Sequence, residues 1–98
     1  MNILITAANS AAAYRLKNKL NSDTIILGDY NELPDVMLKS GKMIKLPNPA
    51  SVAYAHEMLT LCLDKDITAV YPLNENEHAL LNEAAQLFKE YNIDILHP

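Results

Sequence analysis

The sequence predicts an α/β domain of three layers, with a five-stranded, mostly parallel sheet between two layers of helices. Three observations predict it. Short apolar runs alternate with segments of helical period, and such alternation calls for crossover connections and parallel strands. The runs ILI, TIIL and ITAVY are almost continuously apolar or β-branched, as strands buried on both faces are. Half of the 98 residues are hydrophobic, so a single domain of this length has a core to bury.

Ile3, Leu4 and Ile5 form the first strand, bounded by Asn2 and Thr6. Small residues follow at once, and Ser10 is a good N-cap for a helix from Ala11 to about Leu20. Ala12, Leu16 and Leu20 make its apolar stripe, leaving Arg15, Lys17 and Lys19 to water. Asn21, Ser22 and Asp23 end it. Thr24–Leu27 is the second strand, and Gly28, Asp29, Tyr30 and Asn31 read as a turn. Glu32–Ser40 reads as one short helix with Pro34 in its first turn, closed by Gly41. Met43–Leu46 is a third strand, flanked and interrupted by Lys42 and Lys45, as suits a sheet edge. Asn48, with Pro49 at the first helical position, or Ser51 then caps a helix that lasts to about Leu63. Its stripe is Val52, Ala55, Leu59, Cys62 and Leu63. Ile67–Tyr71 is the fourth strand, ended by Pro72. Asn74 and Glu77 have capping-box spacing. They open a last helix with Leu80, Ala84, Leu87, Phe88 and Tyr91 on one face. Ile93–Leu96 is the fifth strand.

Right-handed crossovers leave few topologies for this order. The expected strand order is 3-2-1-4-5, with a switch point between the first and fourth strands. Ligands in such sheets lie beyond the carboxyl ends of the strands at that point. Two turns meet there, Ala7–Ser10 and Pro72–Glu77.

Composition excludes several classes. A net charge of −4 argues against a nucleic-acid partner, which a basic face would meet. No apolar run approaches the roughly 20 residues that span a bilayer. One cysteine forms no internal disulfide and fits a reducing compartment. Met1 leads straight into a strand with no basic-then-apolar leader. The expectation is a cytoplasmic protein.

The turn Ala7, Ala8, Asn9, Ser10 stands where a dinucleotide fold carries G-x-G-x-x-G, yet it holds no glycine. Asn9 tolerates a left-handed backbone, and Asp29 stands about 20 residues on, where an acidic side chain would meet a ribose. The same residues also suit a plain small-residue turn for close packing and a solvated turn aspartate. Asn74, Glu75 and Glu77 crowd the other turn. They could face a polar ligand, or could serve only to stabilise a helix N-terminus. Gly41-Lys42 is followed by Met43 and so is no phosphate loop. Cys62 reads as a buried, inert thiol. His56, His78 and His97 have no metal-ligand spacing. A receiver-type signalling domain needs acidic residues after the first and third strands, where this chain has Ala7–Ser10 and Pro47-Asn48. No complete catalytic set is visible.

The segments NILITAANSAAAYRLKNKL, IILGDY and AVYPLNENEHALLNEAAQLF together resemble pre-ATP-grasp domains, the Rossmann-like N-terminal domains of ATP-grasp proteins such as the carbamoyl-phosphate synthase large chain. The resemblance covers essentially all 98 residues. It implies a domain, inactive alone, that precedes an ATP-grasp domain C-terminal to Pro98 and lines the cleft for a small-molecule substrate. It implies ATP and magnesium in that following domain, with no cofactor in this one, and a carboxylate–amine or carboxylate–thiol ligase as the parent. Ala7, Ala8, Asn9, Ser10, Asp29, Pro72, Asn74, Glu75 and Glu77 would line the cleft. Ala7 and Asn9 stand where that family has glycine. One piece of a longer protein is expected to expose surface its missing neighbour covers, and so to favour a homodimer. The alternative is a free-standing nucleotide-binding, small-molecule-binding or protein-docking module.

Overall fold

The computed structural model describes residues 2–8, 10–20, 24–31, 33–41 and 43–96. The elements are β1 (Asn2–Ile5), α1 (Ala11–Leu20), β2 (Ile25–Asp29), α2 (Asp35–Lys39), β3 (Met43–Lys45), α3 (Tyr54–Asp64), β4 (Ile67–Tyr71), α4 (Glu75–Glu83), α5 (Ala85–Glu90) and β5 (Asp94–Ile95). The sheet order is β3-β2-β1-β4-β5. Every neighbouring pair is parallel, with Leu4 beside Ile26 on one side and Val70 on the other. The order expected from the alternation is therefore the order found, and β3 lies at an edge.

Side chains alternate across the sheet and build two cores. Ile5, Leu27 and Met43 meet Ala13 and Leu16 of α1 and Leu33 on one face. Leu4 and Val70 meet Tyr54, Met58 and Cys62 of α3, Leu81 of α4 and Phe88 of α5 on the other. Burying each large apolar side chain is worth roughly 1.5–3 kcal/mol, so both faces hold the sheet in place.

Several local readings change. Asp29 and Gly28 belong to β2, where they pair with Lys45 and Ile44 of β3. Local propensity makes Gly-Asp a turn, but the Leu46 side chain lies on Gly28, and a Cβ there would come within 2.8 Å of Leu46 Cδ2. The inward residues of α1 are Ala13 and Leu16, while Ala12 is exposed. α3 starts only at Tyr54 and buries Tyr54, Met58 and Cys62. Val52 lies in the turn before it and is fully exposed, as is about half of Leu63. Asn48 and Ser51 cap no helix directly: their side chains accept from Ala50 N–H (2.9 Å) and Ala53 N–H (3.2 Å) in a staircase of turns.

Pro34 is the residue before α2, which is shorter than expected, at Asp35–Lys39. The last helix is two, α4 and α5, broken at Ala84, whose N–H donates three residues back to Leu81 O at 3.1 Å. Phe88 is buried and Tyr91 half-exposed. β5 is only Asp94–Ile95, with Ile93 buried beside it.

Candidate functional site

In a parallel sheet the strand ends and the helix starts share one rim. β1, β2 and β4 deliver three segments there. Among the described residues the turn after β1 is held by main-chain bonds and the Ser10 hydroxyl. Ala7 adopts φ 53°, the left-handed region that glycine usually fills. Its carbonyl accepts from Ser10 N–H (2.9 Å) and Ser10 Oγ (2.7 Å). Ser10 Oγ in turn accepts from Ala13 N–H at 3.2 Å and caps α1, as its residue type predicts. Ala8 is buried and donates its N–H to Gly28 O at 3.0 Å. It therefore joins the turn to β2 and packs in the core. Asn9 lies outside the described residues.

The turn after β4 is held by side chains. Asn74 Oδ1 accepts from Asn76 N–H (2.9 Å) and Glu77 N–H (3.3 Å) and caps α4. Pro72 is buried and Glu75 exposed. Glu77 is 0% exposed. Its Oε2 accepts from Tyr54 Oη at 2.7 Å, and Oε1 has no partner. The capping-box expectation is thus half right: the Asn half is made, and the Glu side chain turns inward to α3.

Burial raises the Glu77 carboxyl above the usual carboxylate value. The Tyr54 hydrogen bond works against that rise, and the charge of Asp29 adds to it. Tyr54 is itself raised, first by burial and then by Glu77. Asp29 is 4% exposed, and its Oδ1 accepts from Asn31 N–H (3.0 Å) and Asn31 Nδ2 (3.3 Å). The fold thus brings a buried acid near a second carboxyl that has its own donors.

Thr6 links the two turns. It is fully buried; its N–H donates to Tyr71 O at 3.1 Å, and its Oγ1 accepts from Leu73 N–H at 2.9 Å. In the sequence Thr6 reads as a strand boundary, and Tyr54 falls outside the apolar stripe expected for this helix. A polar β-branched residue closing a buried strand was the available signal for Thr6. The four-residue spacing of Tyr54, Met58 and Cys62 was the signal for Tyr54. Cys62 is buried and its thiol pushed up to about 12 by that burial, so it is no nucleophile at neutral pH. Among the described residues no group of three or more His, Cys, Asp or Glu could hold a metal ion, and no helix is long and apolar enough to cross a membrane.

A three-layer sheet with its switch point beside this rim defines a Rossmann-like domain. The chain belongs to the PylC-like N-terminal domain family, which matches residues 3–96. That family is the pre-ATP-grasp domain of ATP-grasp ligases. No curated protein sequence matches. Among solved structures, the L-threonine dehydrogenase of Clostridium difficile superposes with a TM-score of 0.63 at 15% identity, over 99% of this chain and 35% of that one. The L-threonine 3-dehydrogenase of Trypanosoma brucei gives 0.60 at 21% identity, over 99% and 36%. A GalE-like L-threonine dehydrogenase from Cupriavidus necator gives 0.53 at 22% identity, over 89% and 28%. The chain spans about a third of the length of these structures, and at such identities the likeness is one of fold.

Proposed function

We propose that this chain is the substrate-cleft domain of an ATP-grasp ligase of the carbamoyl-phosphate synthase large-chain kind, without catalysis of its own. The observation that carries the reading is the family match over residues 3–96, and the joining of both rim turns through Thr6 supports it. In this reading Ala7, Ser10, Asp29, Asn74 and Glu75 form the wall. Ala8, Pro72 and Glu77 support it from beneath. The starts of α1 and α4 direct N–H groups and partial positive charge to the same side. A following ATP-grasp domain supplies ATP and magnesium, and the parent joins a carboxylate to an amine or a thiol through an acyl phosphate.

The test is to titrate the 98-residue chain with Mg-ATP and with a panel of amino acids and small carboxylates while following its amide spectrum. The expected result is no ATP turnover, with perturbed amides at Ala8, Ser10, Asp29 and Asn74. Magnesium-dependent turnover by this chain alone would defeat the reading. So would perturbations clustered at the opposite strand ends, around Thr24 and Asp66. Tight nucleotide binding at the rim without turnover would instead favour a free-standing nucleotide-binding module, the reading to which the buried Asp29 at the end of β2 lends itself.

A further inference from the structure

The turn after β4 leaves one buried atom without a partner, and the local sequence offers that atom another place. Asn74-Glu75-Asn76-Glu77 has the spacing of a capping box, in which the Glu carboxylate turns back to accept the N–H of the capping residue. Here the Asn half is made, while the Glu77 carboxyl lies inward on Tyr54 with Oε1 unpartnered. Rotation about the side-chain torsions of one residue separates the two arrangements. They suit opposite protonation states. Inside, burial disfavours the charged form, and the single Tyr54 donor offsets only part of that. Outside, a carboxylate sits at the positive end of a nine-residue helix and gains a backbone donor.

We propose that Glu77 is a proton-linked latch between α3 and α4. Neutral, it stays folded against Tyr54 and ties the first turns of the two helices together. Ionised, it swings out to close the capping box at Asn74 and releases the Tyr54 hydroxyl. The groups that face it in the latched position are Tyr54 of α3 and Asp29 at the end of β2. Cys62, two turns along α3, acts on Tyr54. On α4 itself Glu75 is exposed and His78 half-buried. Tyr54 and Cys62 are both raised, so Glu77 ionises before either of them. Release adds a second carboxylate to the rim beside Glu75. It also frees Tyr54, which lines a groove of about 240 Å³ between α3 and α4 with Ser51, Leu80 and Glu83. The latch does not depend on what the rim binds.

The test follows the Glu77 carboxyl carbon, the Asn74 amide proton and the Tyr54 ring by NMR as the pH is raised from acid to alkaline. The expected result is a Glu77 titration above the ordinary carboxylate value. The Asn74 amide should move downfield with the same midpoint, and the Tyr54–Glu77 contacts should disappear in step. Glu77→Gln should leave the Asn74 amide without that transition. Tyr54→Phe removes the inner partner and should bring the midpoint down by roughly one pH unit. That shift decides the matter if Glu77→Gln does not fold. A Glu77 titration with the Asn74 amide unmoved and the Tyr54 contacts kept would overturn the latch. A midpoint in Tyr54→Phe that is unchanged, or that rises as loss of a donor to a stationary carboxylate requires, would do the same, as would no Glu77 titration below pH 9.

Discussion

The turns after β1 and β4 occupy equivalent places, each carrying the chain from a central strand into a helix at the same rim. They are built from different chemistry. The first keeps a glycine-like backbone at Ala7 and, among the described residues, is tied down through main-chain N–H and C=O groups and the Ser10 hydroxyl. The second has an ordinary extended cap residue, φ −84° and ψ 129° at Asn74, and depends on side chains: Asn74, Glu77 and Tyr54. Backbone turns of the first kind respond to residue size and left-handed tolerance. Turns of the second kind respond to protons. Both stand at one rim, the first set by main-chain geometry and the second carrying a buried acid.

The largest expected effect comes from cutting the link between them. Thr6→Val keeps the branched shape and deletes Oγ1, so the Leu73 N–H loses its acceptor. Thr6 is fully buried and Leu73 half-buried, and a donor stranded there costs about 1–3 kcal/mol. Urea denaturation of the two proteins measures it. If the loss is under about 0.5 kcal/mol, then Leu73 has another acceptor in the variant, and the two turns are less coupled than the 2.9 Å bond implies.

The next effect belongs to the β4 turn alone. Glu77's folded carboxyl sits above its unfolded value of 4.5, with burial as the first cause. Its contribution to stability is therefore fully present below that unfolded value and is lost as the pH rises through the folded one. Each unit of separation is worth about 1.4 kcal/mol by linkage. Glu77→Gln has no such proton to lose. Its stability should fall less than the parent's as the pH rises above about 4.5, and its advantage should grow toward the alkaline end. Parallel stability–pH curves for the two proteins would mean that the carboxyl ionises without penalty where it lies.

How much of this was legible before any coordinates? The strand order was, because alternation and right-handed crossovers leave few choices. The Ser10 cap was also legible, since an N-cap bonds only within its own first turn. What escaped was set by partners distant in sequence. Gly28-Asp29 has turn composition, and it is strand because Leu46 lies on the glycine. Glu77 has a local partner by spacing, and a tyrosine 23 residues away takes it instead. The resemblance to pre-ATP-grasp domains led to the family that matches residues 3–96. It carried no sign that the acid of the NENE turn would be buried, since spacing alone specifies a surface cap.

The smallest effect returns to the β1 turn and concerns Ala7. An L-residue with a Cβ pays about 1–2 kcal/mol for a left-handed backbone, and Ala7 holds φ 53°. Glycine removes that penalty but loses more conformational freedom on folding, by about 0.4–1 kcal/mol. The difference favours Ala7→Gly by about 0–1.6 kcal/mol, with a centre near about 0.8, read as a raised denaturation midpoint with an unchanged slope. Ala7 is only half-buried, so its methyl leaves no core cavity to offset the gain. The matched change in the other turn, Asn74→Gly, should do the reverse, because Asn74 is in the extended region and its side chain accepts two N–H bonds. A gain in one turn and a loss in the other would place glycine's benefit in backbone geometry alone. A loss in both would mean that the Ala7 methyl packs against its neighbours strongly enough to outweigh the strain.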